Sequence, residues 1–154
     1  MAVTHPTDVR NGVANYVVDL IDNGGAGNIQ FQDGNQNDSD IATLGFSNPA
    51  FGAAANGIAT AATITDDTNC NAGTVTKFTV FSGAGDSCFT GSVTATGGGG
   101  DIILSSTSIG QGDTISISSL TYEAPNWVKD REIGDHVGGV RSPFYFLPYA
   151  SQGF

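Results

Sequence analysis

The stretch TDVRNGVANYVVDLID, residues 7–22, decides how the chain is read, because it carries a helical repeat whereas residues 23–122 carry the repeat of strands and turns. Val9, Val13, Tyr16, Val17, Leu20 and Ile21 recur at intervals of three and four. On a 3.6-residue turn this gathers them on one side and leaves Arg10, Asn11, Asn15, Asp19 and Asp22 off it. The spacing predicts an amphipathic helix whose apolar stripe is buried. Thr4 or Thr7 can cap its start, with Pro6 near the first turn and Asp8 at the positive end of the helix dipole, and Asn23-Gly24-Gly25 supplies a left-handed stop.

Working outward, NIQFQD at 28–33 alternates apolar and polar residues as a strand with one wet face does, and IATLGF at 41–46 is a second strand. The loop 47–57 is broken by Pro49, Gly52 and Gly57, and Phe51 is placed to anchor it. Residues 57–65 set Ile58, Ala62 and Ile64 on one side and the small Ala59, Ala61 and Thr63 on the other, a face close enough for the helix to lie on. Residues 74–81 and 88–95 form a hairpin about Ala84 and Gly85, with the first arm central because apolar residues fall on both its faces. Gly97 to Gly100 connect to a short buried strand at 101–106. The alternation in 113–122 slips at Ser118-Ser119, which predicts a β-bulge or a strand end there. Seven or so short strands with glycine-rich turns imply a mainly β fold, an antiparallel β-sandwich of jelly-roll-like kind with one N-terminal amphipathic helix and an extended C-terminal arm. The helix and sandwich occupy residues 1–122 and the arm residues 123–154.

The arm differs in chemistry. It holds Trp127, Phe144, Tyr145, Phe146, Tyr149 and Phe154, six of fourteen aromatics, and Lys129, Arg131 and Arg141, three of five basic residues. Pro125, Pro143, Pro148 and its glycines oppose regular structure, so these rings are buried either against a neighbouring molecule or by wrapping the chain's own sandwich. Arg and aromatic residues are the types that anchor interfaces. Trp127, Arg131, Arg141, Phe144, Tyr145, Phe146, Tyr149 and Phe154 are therefore the candidate partner-interface residues.

Fifteen acidic against five basic residues give a net charge of −10, which repels phosphate backbones and anionic membranes, so no nucleic-acid or membrane partner is expected. There is no apolar run of membrane-spanning length, and the first residues lack the pattern of a secretion signal. Cys70 and Cys88 match no zinc or redox spacing and are expected as two unpaired thiols. Asp33, Asn35, Asn37, Asp38 and Asp40 crowd oxygen atoms as a calcium loop does, but an EF-hand needs Gly at its sixth position and Glu at its twelfth, where this chain has Asp38 and Leu44. A solvated turn accounts for them. His136 beside Asp135 has no nucleophile in a strand-turn-helix setting, and GGGG at 97–100 lacks the Lys and helix that phosphate binding uses. The chain is expected to be non-enzymatic, with no catalytic, cofactor-binding or metal-binding residue.

Val9-Arg10-Asn11 with 17–22, VVDLID, and a glycine stop; 46–52, FSNPAFG, running into 57–61, GIATA; and 106–109, STSI, with 113–117, DTISI, are three segments that carry a resemblance. Through them the chain resembles small β-rich virion accessory proteins of tailed bacteriophages, over about residues 1–122. That resemblance implies a capsid decoration, or cement, protein. Such a protein is made in the host bacterial cytoplasm, sits on the capsid surface of the virion and binds the major capsid protein and itself as a homo-oligomer, a trimer above all. A phage neck or tail component is the alternative within the same class. A carbohydrate-binding β-sandwich using Trp127 or the tyrosines for stacking is the alternative from another class.

Overall fold

The computed structural model describes residues 4–125. The chain is mainly β, with one N-terminal helix and a curled six-stranded sheet. Helix α1 spans Thr7–Asp19 and tightens into a 3₁₀ turn over Leu20–Asp22. Its stop is the expected one, since Gly24 and Gly25 both have positive φ. Its start is not. The N-cap is Pro6, and neither Thr4 nor Thr7 makes a capping hydrogen bond.

The strands, in chain order, are β1 Asn28–Gln32, β2 Asp40–Phe46, β3 Ile58–Thr60, β4 Ile64–Thr65, β5 Gly73–Thr74, β6 Lys77–Phe81, β7 Ser87–Ala95, β8 Ile102–Leu104, β9 Ser108–Ile109 and β10 Thr121–Glu123. The large sheet has the order β4-β2-β1-β6-β7-β8, and β10-β3 and β5-β9 are separate two-stranded pairs. In the sheet's middle, Ile29 stands opposite Leu44 and Val80, and Phe31 opposite Ala42 and Phe78. All six are buried. Side chains directly across a ladder share a face, so these residues form one apolar surface, each large one worth about 1.5–3 kcal/mol in burial. On the other face Gln30 and Thr43 meet water to different degrees, as the alternation in β1 predicts. Gln32 is buried there because Thr79 Oγ1 donates to its Oε1 at 3.0 Å and its Nε2 donates to Asp40 Oδ1 at 2.9 Å.

The hairpin β6–β7 turns through Gly85 at φ 90°, and β6 lies centrally between β1 and β7. Phe51 is buried with its ring 5.8 Å from that of Phe46, which fixes the 47–57 loop.

Three further expectations need correction. Residues 57–65 do not form one strand: β3 pairs with β10 and β4 pairs with β2, with a single bridge from Ala61 to Phe51 between them. The segment after the four glycines is an edge rather than a buried strand, parallel to β7, and Ile103 is 56% exposed on it. Residues 113–122 are interrupted as the slip at Ser118-Ser119 implies, with only Ile115 bridging to Asp67 before β10 begins.

The third correction concerns the helix. Its buried residues are Ala14, Val18 and Ile21, with Val17 partly covered. Val9, Val13, Tyr16 and Leu20, four of the six residues assigned to the buried stripe, are exposed. The helix does lie over β3, where Ala59 is fully buried, but it does so turned about its axis.

Candidate functional site

Beside the buried Ala14, Val18 and Ile21, the inward side of α1 and its 3₁₀ turn carries three side chains that accept from backbone amides of the 50–57 loop. Asn15 Oδ1 accepts from Ala54 N at 2.7 Å, Asn11 Oδ1 accepts from Gly57 N at 2.7 Å, and the Asp22 carboxylate accepts from Ala50 N at 3.0 and 3.2 Å. Arg10 Nη2 donates to Glu123 Oε1 at 3.0 Å, which ties the first turns of the helix to β10. Ala124 N in turn donates to Gly57 O at 2.8 Å, and Ala124 is buried. The described body therefore continues through Ala124.

This leaves a continuous apolar row on the outside of α1. Val9 is 44%, Val13 41%, Tyr16 69% and Leu20 41% exposed. Exposed faces of helices in water are normally polar, so this row departs from the usual pattern. The signal that could have placed the helix correctly is a second periodicity: Asn11, Asn15, Val18 and Asp22 are spaced four, three and four apart, facing a loop whose Ala and Gly residues offer no side chain to satisfy its own amides.

The acidic loop after β1 is closed on itself. Asp33 Oδ1 accepts from Asn35 N at 3.0 Å and Ser39 N at 3.1 Å, and Asp33 Oδ2 accepts from Asn35 Nδ2 at 2.7 Å. The Asn35 backbone hydrogen bond, ahead of the other donors, holds the Asp33 carboxyl below the usual carboxylate range. Asp38 is paired with Lys77 at 2.7 Å and Asp40 takes the Gln32 amide. Both Asp33 carboxylate oxygens and one each of Asp38 and Asp40 are thus engaged by protein donors. Among the described residues no group of three or more His, Cys, Asp or Glu is placed to hold a metal. An open trough of about 630 Å³ runs beside this loop, with Asp33, Asp40, Asn71 and Thr76 in its polar wall.

Cys70 and Cys88 are free thiols, Cys70 buried and Cys88 half-buried. Burial first, then the nearby Asp67, pushes the Cys70 thiol up, and burial with Asp86 does the same to Cys88. Raised thiol pKa values suppress the thiolate that nucleophilic chemistry would use. Among the described residues no helix is long and apolar enough to cross a membrane.

All eight residues assigned to the partner interface, Trp127, Arg131, Arg141, Phe144, Tyr145, Phe146, Tyr149 and Phe154, lie outside the described residues, as do Asp135 and His136. Comparison of the chain with protein families, with curated proteins and with solved structures finds no match.

Proposed function

We propose that this protein is a non-enzymatic structural component of a bacteriophage particle, a capsid decoration protein that binds the major capsid protein lattice as a homo-oligomer, most simply a trimer. The observation that carries this reading is a partition of charge. Residues 4–125 hold two cations against twelve acids, a net −10, while residues 126–154 hold three against three and are neutral. Both cations of the body are spent internally, Arg10 on Glu123 and Lys77 on Asp38. An acidic body repels its copies and keeps crowded particles apart, and a neutral, aromatic segment supplies attraction to a neighbour. Weak contacts repeated over a symmetric lattice add up by multivalency. In this reading the curled sheet and its two small ribbons serve as a reduced jelly-roll-like sandwich, and Trp127, Arg131, Arg141 and the aromatic residues 144–154 make the contacts to the shell.

The test is reconstitution on particles stripped of this protein. Saturable binding at hundreds of sites, lost when the chain is ended after Pro125, is the expected result. A few copies at one end of the particle would indicate a neck or tail component instead. Failure to bind particles at all would overturn the proposal.

A further inference from the structure

A slot of about 240 Å³ lies between β8 and residues 116–121. One wall is Asp101 with β8, and the other is the run whose strand-like alternation slips at Ser118-Ser119. Both walls carry backbone groups that the described body leaves without partners. β8 closes the six-stranded sheet and has β7 as its sole strand partner among the described residues. Leu104 O accepts from Thr96 Oγ1 at 3.4 Å, just past the end of β7, so Leu104 faces that strand. Neighbouring residues of a strand present N–H and C=O to opposite sides, which turns the pair on Ile103 to the free edge. Across the slot, no backbone hydrogen bond joins Ser116, Ile117, Ser118 or Ser119 to any described residue, although Ile115 before them bridges to Asp67 and Leu120 after them accepts from Ala61 N.

Open backbone groups on two sides of a slot suit an extended strand, which bonds one wall through each of its edges. β8 invites such a strand, because apart from its three-residue length it has none of the lysines, prolines or bulges that usually blunt a sheet edge. The side chains define the class of strand. Ile102, Leu104, Ile117 and Leu120 are half-buried and Ile103 is 56% exposed, so apolar side chains at alternate positions of an added strand find apolar neighbours. Asp101 is the one charge lining the slot, on a body of net −10 whose two cations are already paired. That field favours a strand with basic ends and repels an acidic one. It also disfavours β8 of a second copy set edge to edge, a pairing that would bond one wall and leave residues 116–119 as they are.

We infer that the slot between β8 and residues 116–119 binds an extended segment of a partner protein as an added strand, apolar at alternate positions and basic at its ends. This binding does not depend on the particle reading, which bears only on where such a partner is met.

The test titrates nitrogen-15-labelled full-length protein with a capped eight-residue peptide, KTVSITVK. Saturable amide shifts confined to 101–104 and 116–121 are the expected result, with binding at least about tenfold weaker for the acidic peptide ETVSITVE. Methylating the peptide's backbone nitrogens at odd positions removes the donors of one edge, and at even positions those of the other. Each set should weaken binding at least about tenfold, because both edges are bonded. Loss from one set alone would mean that the peptide adds to β8 without engaging residues 116–119, and would overturn the two-walled site. No saturable shift at millimolar peptide, shifts elsewhere, or equal binding of the acidic peptide would refute the inference. So would slow hydrogen exchange at Ile103 and 116–119 in the free protein, since the slot would then already be filled by the chain's own residues or a second copy.

Discussion

The orientation of α1 can be decided by one pair of identical substitutions, Val18→Ala and Val13→Ala. Val18 is 2% and Val13 41% exposed, so the same two methyl groups are removed from opposite environments. At Val18 the lost transfer energy is about 1.6 kcal/mol at ~0.8 kcal/mol per buried carbon, and a cavity of roughly 40 Å³ adds about 1 kcal/mol at ~24 cal/mol per Å³. Alanine's better helix propensity returns about 0.6 kcal/mol, leaving a cost of about 2 kcal/mol. At Val13 about three fifths of the side chain is covered, so the transfer loss is about 1 kcal/mol, no cavity forms, and the same propensity gain leaves about 0.4 kcal/mol. The two variants should therefore differ by about 1.6 kcal/mol. With a urea slope of about 2 kcal/mol/M, the midpoints measured by circular dichroism should separate by about 0.8 M, with Val18→Ala the lower. Equal midpoints, or a larger loss at Val13, would place the buried face where the apolar stripe of the sequence puts it and refute the observed orientation.

Two further outcomes test the loops. Gly24 and Gly112 both have φ near 80°, but a Cβ on Gly24 would sit 2.7 Å from Ala84 N, whereas one on Gly112 meets open space. Gly112→Ala should cost about 1 kcal/mol from backbone strain alone, and Gly24→Ala distinctly more because backbone must move; equal costs in thermal melts would contradict the packing of the helix stop on the β6–β7 turn. The Asp33 carboxyl is depressed in the folded chain, so its hydrogen bonds contribute stability above the unfolded carboxylate pKa, and that contribution is lost as pH falls through the lower folded value. A carboxyl-carbon NMR titration should place Asp33 below the usual carboxylate midpoint and below an Asp33-containing unfolded peptide; a midpoint at or above the peptide's would mean the loop is not closed as described.

The elements that were legible in the sequence are those whose local pattern and tertiary setting agree. Ile29 and Phe31 alternate with Gln30 and Gln32 and are buried on one face, and the 77–95 hairpin results from β-rich arms about Ala84 and Gly85. Residues 57–65 failed because alternation reports only which way side chains point, not which partner strand takes the backbone. Ala61 bridges to Phe51 and its amide donates to Leu120 O, so the run is divided between two ladders. The parallel pairing of β8 was equally hidden, since a six-residue connection ordinarily returns a strand antiparallel. The interface residues Trp127 to Phe154 were chosen by composition, which selects residue types and leaves their contacts open.

The helix is the instructive case, because its boundaries were clear and its orientation was not. A hydrophobic stripe predicts burial only when the opposing surface is apolar and needs nothing else. Here the opposing surface includes the 50–57 loop, whose amides at Ala50, Ala54 and Gly57 would otherwise be part-buried donors without partners, each costing about 1–3 kcal/mol. Three such donors outweigh the burial of a few valine methyl groups, so Asn11, Asn15 and Asp22 turn inward and carry Val9, Val13, Tyr16 and Leu20 out. Ala14, Val18 and Ile21 are buried beside these hydrogen bonds. The apolar row is thus turned outward by the demands of the loop.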